Sequence, residues 1–344
     1  MILGGHAHGA SSNAVFVLTV NEDGTHGGAG THGGWCSLPS MPVCREGGVA
    51  VALVPDLQKV VAALRTVTSL TDFPPGLLPL MASYLGAERV FIAGGLCGDN
   101  FQETVECYAL ISRTWETGLP AMHSSRHGGR RGQAIGNRRL MVFGNGDGRP
   151  PSSGELTPYR VISFDAYHKC WTTLPSMIFA RPGCCSAEWQ GRVFVFGGFY
   201  TDPEFSCECY DPISNRWSFI ASMKRPCYDA VAVSVPGLGI LVMGGLIVSE
   251  LRQLLRRSSL SQLVELYDPR TNCWTTMAWT LPQPLYNFVA HHIAGRIIII
   301  GGGCDDRVTC AECWSLDLTP DAPSWISLPL LPVPTSNMAS VIVP

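Results

Sequence analysis

The side chains best able to do chemistry in this 344-residue sequence are its 14 cysteines, its 9 histidines and a recurrent arginine. Cys310-x-x-Cys313, Cys207-x-Cys209 and the nearby Cys304 resemble soft-metal ligands, but a structural zinc needs four ligands from paired motifs. His6, His8, His26 and His32 lie among glycines, and imidazole is a common transition-metal ligand. No carboxylate cluster accompanies them, and a glycine-rich loop explains the segment equally well. Arg45, Arg126 and Arg181 each stand four residues after a methionine, at Met41, Met122 and Met177. Guanidinium groups in such a series can hold carboxylates through paired, charge-assisted hydrogen bonds. No G-x-S-x-G, phosphate-binding loop or dinucleotide fingerprint occurs where a strand would lead into a helix. The sequence therefore offers no catalytic residue, metal site or cofactor site to name.

Composition bounds what could position these groups. Hydrophobic residues make up 46% and charged residues 15%, while 37 Gly and 25 Pro supply a turn about every dozen residues, which reads as all-β. A net charge of −3 gives no basic face for nucleic acid. The N-terminus lacks a basic segment ahead of its short apolar run, and no stretch reaches the roughly 18 apolar residues of a membrane span. A soluble cytoplasmic protein with reduced thiols is expected.

The decisive signal is internal repetition. Apolar runs end in a glycine doublet at Gly4-Gly5, Gly94-Gly95, Gly197-Gly198, Gly244-Gly245 and Gly301-Gly302, and Gly144-Asn145 stands in a sixth copy. The runs are short and rich in β-branched and aromatic residues, as buried strands are. A second strand follows each, and four times its aromatic residue precedes a Trp by seven positions: Tyr108 to Trp115, Phe164 to Trp171, Tyr210 to Trp217 and Tyr267 to Trp274. The DPISNR and DPRTN between them are turn sequences, so each pair closes a hairpin. Similar stretches begin at Trp35, Trp115, Trp171, Trp217, Trp274 and Trp325, and a strand of small or apolar residues then leads to the next doublet.

This pattern resembles the Kelch repeat along essentially the whole chain. The resemblance implies an all-β, six-bladed propeller with four antiparallel strands per blade, here called a to d outward. Residues 335–344 are expected to supply the innermost strand of a first blade otherwise made by 1–40. The other blades then fall at 41–121, 122–176, 177–222, 223–280 and 281–334. In this register Cys107, Cys209 and Cys313 share one position of strand c, and Cys170 and Cys273 both precede the hairpin Trp, so buried hydrophobic packing explains all five without metal. His291-His292 falls on an inner strand, with one side chain toward the channel and one toward the blade interior. Leu57, Val60, Val61, Leu64, Val67 and Leu70 recur at helical spacing inside an insertion at about 56–87. The loop VSELRQLLRRSSLSQ carries Arg252, Arg256 and Arg257, with an Arg-Arg-x-Ser pattern ending at Ser259.

In Kelch-like proteins the face formed by the d-to-a and b-to-c connections grips partners. The resemblance thus implies a non-catalytic protein-binding scaffold, serving as a substrate receptor for a cullin-based ubiquitin ligase or as an actin-associated adaptor. Candidate partner-binding residues are Arg45, Arg126, Arg181 and the displaced Arg225, with Tyr228, Tyr286 and Asn287 beside them; an acidic peptide is the ligand they would suit. The competing reading is that the arginines tie down backbone carbonyls between blades. Some relatives are enzymes, and a sugar-epimerase-like activity is the catalytic alternative. Kelch-like proteins commonly carry an N-terminal BTB module, of which these residues show no trace.

Overall fold

In a computed structural model, residues 1–7, 10–18, 35–45, 49–53, 89–93, 95–97, 100–110, 112–122, 131–135, 139–143, 161–198, 206–247, 259–305, 308–318 and 323–340 are described. The helical pattern at 56–87, Arg126, Gly94, Gly144-Asn145, His8, His26, His32 and the arginines at 252–257 lie outside them.

Six four-stranded antiparallel sheets make up the described residues, with two small sheets added. The first combines Ala339–Ser340 with Ile2–Ala7, Ala10–Leu18 and Trp35–Leu38. The second is Val49–Leu53, Arg89–Ala93, Val105–Ala109 and Thr114–Glu116; the third is Arg131–Ile135, Arg139–Phe143, Val161–Asp165 and Cys170–Leu174. The fourth is Cys185–Trp189, Arg192–Phe196, Cys207–Asp211 and Arg216–Ile220; the fifth is Val231–Val235, Gly239–Met243, Val264–Asp268 and Cys273–Thr276. The sixth is Val289–Ile293, Arg296–Asp305, Val308–Asp317 and Trp325–Leu328. Ile2 pairs with Ser340 and Leu3 with Ala339, so both ends of the sequence meet in one sheet.

Each second strand is buried on both faces, which is why it reads as an uninterrupted apolar run. Alternation divides its side chains between two neighbours. Val193 and Val195 pack toward the third sheet with Met141 and Phe143, while Phe194 and Phe196 pack toward the fifth with Ile240 and Tyr267. Five cores join consecutive sheets in this way, and a sixth, containing Ile298, Ile300, Ile2 and Trp35, joins the last sheet to the first.

The repeated tryptophans link the sheets. Indole N–H groups donate from Trp115 to the Pro39 carbonyl, Trp171 to Pro120, Trp217 to Pro175 and Trp274 to Ala221, each at 2.9 Å. Trp325 donates to Thr280 at 2.8 Å. Every acceptor lies within four residues after the preceding sheet's outer strand. The seven-residue step from aromatic to Trp has a local cause as well: Tyr210 and Tyr267 donate through their hydroxyls to Asn215 and Asn272 at 2.7 and 2.9 Å. Both asparagines hold a positive φ, at 54° and 55°, which this residue type tolerates. In the second sheet Arg113 holds that backbone position, and the Tyr108 hydroxyl has no hydrogen-bond partner among the described residues.

The glycine doublets are needed where sheets meet. The second glycine donates its N–H to the next sheet's corner: Gly5 to Arg45 O at 2.6 Å, Gly198 to Cys227 O at 3.0 Å, Gly245 to Leu285 O at 2.8 Å and Gly302 to Thr335 O at 3.0 Å. A Cβ on Gly301 would sit 2.5 Å from that same Thr335 carbonyl oxygen, and the residue has φ of 55°. Only glycine fits there.

Three expectations about cysteine are corrected. Cys313 pairs with Ile300 as Cys207 pairs with Phe196, so it is the counterpart of Cys207, two residues before the place shared by Cys107 and Cys209. The reason is that Leu316, not Trp314, stands opposite Trp325. Cys170 and Cys273 are exposed on outer strands rather than buried. Thiols are also not all reduced: Cys44 and Cys97 form a disulfide, with Cα atoms 5.4 Å apart, tying a d-to-a corner to the b-to-c hairpin of its own sheet.

Candidate functional site

The d-to-a corners and b-to-c hairpins share one face. Four residues after each Met41, Met177, Met223, Leu281 and Leu331 stand Arg45, Arg181, Cys227, Leu285 and Thr335. Two residues further, Gly183, Asp229, Asn287 and Asn337 all have positive φ, between 50° and 70°. They are chained by backbone hydrogen bonds: Asp229 N–H donates to Gly183 O at 2.7 Å, Asn287 to Asp229 at 2.9 Å and Asn337 to Asn287 at 2.7 Å. Asn287, a sequence candidate for contact, thus has a structural duty in this inner rim.

Arg45 and Arg181 point inward and are fully buried. Arg181 Nε donates to Glu208 Oε1 at 2.9 Å, Nη1 to the carbonyls of Gly197 and Ser206 at 3.1 and 2.6 Å, and Nη2 to Ser206 Oγ at 2.7 Å. The rest of Glu208 is satisfied by the N–H groups of Ile178 and Phe179, at 2.7 and 3.1 Å. Arg45 repeats the scheme with Glu106 at 3.3 Å and the Thr104 hydroxyl at 2.6 Å. Burial pulls the Arg45 guanidinium below its ordinary pKa, and Glu106 opposes that shift. An accessible arginine bowl is therefore corrected for these two residues: their donors are spent on the protein's own backbone and carboxylates. Tying down the corner is the reading their geometry supports.

The glutamates were missed in the sequence, although VECYA, CECYD and VELYD carry Glu106, Glu208 and Glu265 at one repeat position, two before the strand-c tyrosine. That coincidence, set beside the arginine series, was the available signal. In the fifth sheet Glu265 is 7% exposed, and its corner residue is Cys227 instead of arginine. A cleft there is lined by Met223, Arg225, Cys227, Gly244, Ser261 and Glu265 among others. Burial pushes the Glu265 carboxyl above its ordinary range, while Lys224 and Arg225 pull it back.

The remaining candidates form a rim. Arg225 is exposed, and Tyr228 and Tyr286 are half-buried. Tyr228 pairs with Leu246 in the small sheet of Cys227–Tyr228, Leu246–Ile247 and Ser259–Leu260. Tyr286 exchanges both backbone hydrogen bonds with Gly303, at 3.0 and 2.8 Å. Its ring covers that glycine so closely that an added Cβ would lie 2.3 Å from it. The hairpin of Arg296–Asp305 and Val308–Asp317 continues past its sheet on this side, as does that of Ile2–Ala7 and Ala10–Leu18. Behind the rim, His291 Nε2 lies 2.9 Å from Ser340 Oγ, and burial lowers its pKa to about 4. His6 lies in the strand Ile2–Ala7. Among the described residues no three His, Cys, Asp or Glu side chains converge as metal ligands, and no helix is long and apolar enough to cross a membrane.

Sheets of this kind packed face to face in a ring define a β-propeller. A solved structure described as that of YjhT superposes with a TM-score of 0.65 over 94% of this chain and 96% of that one, at 11% identity, which speaks for the fold alone. Residues 180–224 match the Kelch motif family model. Kelch-like protein 25 of Xenopus tropicalis is 30% identical over 45% of this chain and 26% of its own length. Human Kelch repeat and BTB domain-containing protein 13 is 30% identical over 57% of this chain and 39% of its own. An F-box/kelch-repeat protein of Arabidopsis thaliana is 32% identical over 33% of this chain and 29% of its own. The chain thus spans between 26% and 39% of the length of these curated relatives. It carries a Kelch motif and is similar to Kelch-repeat proteins.

Proposed function

We propose that this chain is a non-catalytic scaffold that holds a partner protein on the face of its d-to-a corners and b-to-c hairpins. Each four-stranded sheet serves as one blade of a six-bladed propeller, divided at 41, 122, 177, 223 and 281 and closed by 335–344. The observation that carries the reading is the raised rim: the Arg296–Asp305/Val308–Asp317 hairpin, prolonged beyond its sheet, is paired through Gly303 with the half-buried Tyr286, and the same face carries the exposed Arg225 and the half-buried Tyr228. Aromatic and arginine side chains on a pre-formed surface are the usual anchors of protein recognition. Twelve of the cysteines lie outside any disulfide, which supports an intracellular setting.

The family resemblance offers two settings, substrate recognition for a cullin-based ubiquitin ligase and attachment to actin. Co-purification of a cullin, or co-sedimentation with actin filaments, separates them. The face itself is tested by capture with the variant Arg225→Glu/Tyr228→Ala/Tyr286→Ala beside Tyr167→Ser/Ile213→Ser, which alters exposed turns between outer strands. Loss of the same partners from the first variant alone supports the reading. Equal loss from both, or from neither, overturns it.

A further inference from the structure

Blades 2 and 4 display a cradle with its occupant in place: a glutamate on strand c receives a guanidinium from the corner arginine. In the fifth sheet the cradle persists and the occupant is gone. Glu265 stands where Glu106 and Glu208 stand, and Cys227 replaces the arginine with a side chain too short to reach as that arginine does. The space so freed is the cleft described above. Its enclosed part, about 20 Å³, has room for about one water molecule, so a larger group enters only as Arg225 leaves the mouth.

Glu265 is 93% buried and lines this cleft, and among the described residues no hydrogen bond or ion pair engages its carboxylate. A buried carboxylate without a partner is costly, and a paired cation removes that cost. The carbonyl of Gly244 is the counterpart of the Gly197 carbonyl that Arg181 engages, and Ser261 adds a hydroxyl to the lining.

We propose that this cleft receives one arginine side chain of the partner protein, which would bind Glu265 as Arg181 binds Glu208. The proposal rests on the partner-binding reading for its biological occupant, but not for its chemistry. Arg225, exposed at the mouth, is the internal competitor that an incoming guanidinium displaces.

The test is titration of the full chain with N-acetyl-arginine amide, against the neutral citrulline analogue and free arginine, followed by calorimetry. Expected are saturable binding of the blocked arginine, at least tenfold weaker binding of the citrulline analogue, and unchanged or tighter binding to Arg225→Ala. Cys227→Arg, which supplies the missing side chain from within, should weaken binding at least tenfold while raising the melting temperature. Glu265→Gln, nearly isosteric, should weaken it equally, and serves if the larger substitution does not fold. Absence of binding to both the wild type and Arg225→Ala, or undiminished binding to either cradle variant, overturns the proposal. Tighter binding of free arginine than of its blocked form contradicts a partner side chain as the occupant. None of these results depends on partner capture, so failure here leaves the rim reading standing, and loss of the rim leaves this one.

Discussion

The Trp35 indole N–H donates to the Pro329 carbonyl at 3.2 Å, across 294 residues of sequence. It is the closing member of the series of indole bonds, joining the outermost strand of the first sheet to the sixth. The Gly302 N–H reaches the Thr335 carbonyl at 3.0 Å and makes a second closing contact, at the d-to-a corner.

Ring closure can be weighed by removal. Deleting 335–344 takes away Met338 and Ala339, both buried in cores, as well as the acceptor for Gly302. Cooperative unfolding should be lost or shifted far down in temperature. Trp35→Phe keeps the ring and removes the donor, which should cost about 1 kcal/mol in urea unfolding. Equal stability of the truncated chain would show that closure is not cooperative.

Arg181→Ala leaves Glu208 buried and charged without its guanidinium, and should cost about 3–5 kcal/mol. Arg45→Ala should behave in the same way. Equilibrium denaturation measures both, and a loss under 1 kcal/mol would show that these arginines are dispensable to the corner.

Glu265 provides a pH signature. Burial raises its pKa above the ordinary 4.5, so the native state holds a proton that the unfolded chain releases. Its contribution to stability is complete below 4.5 and is lost as pH rises through the raised value. Glu265→Gln should therefore gain melting temperature relative to wild type on going from pH 4 to pH 8. A constant difference across that range contradicts the assignment.

Thiol reactivity should follow burial. Burial pushes Cys107, Cys207 and Cys209 to about 11, leaving little thiolate at pH 8. Short maleimide treatment of the native protein should mark the exposed Cys36, Cys170 and Cys273 first, and mass spectrometry of unreduced digests should recover Cys44 joined to Cys97. Early labelling of Cys207 would mean that its core opens.

The sheets were legible because each apolar run, doublet and Trp records a contact every repeat must make. Arg45 and Arg181 were legible as a series but not in their direction, since burial depends on a glutamate some 60 and 27 residues away that the series does not point to. The Cys44–Cys97 bridge joins two cysteines that share no repeat position, and periodicity gives no sign of it. The cleft at Glu265 was hidden for the opposite reason: it exists because a repeat lacks one residue, and a missing arginine is read only after its place has been seen filled.

The most direct test of the central claim is face-resolved partner capture, with folding of every variant checked by thermal melts. A scaffold working through its rim should lose specific partners on Arg225→Glu/Tyr228→Ala/Tyr286→Ala and keep them on Tyr167→Ser/Ile213→Ser. Retention of every specific partner by the folded rim variant would contradict it.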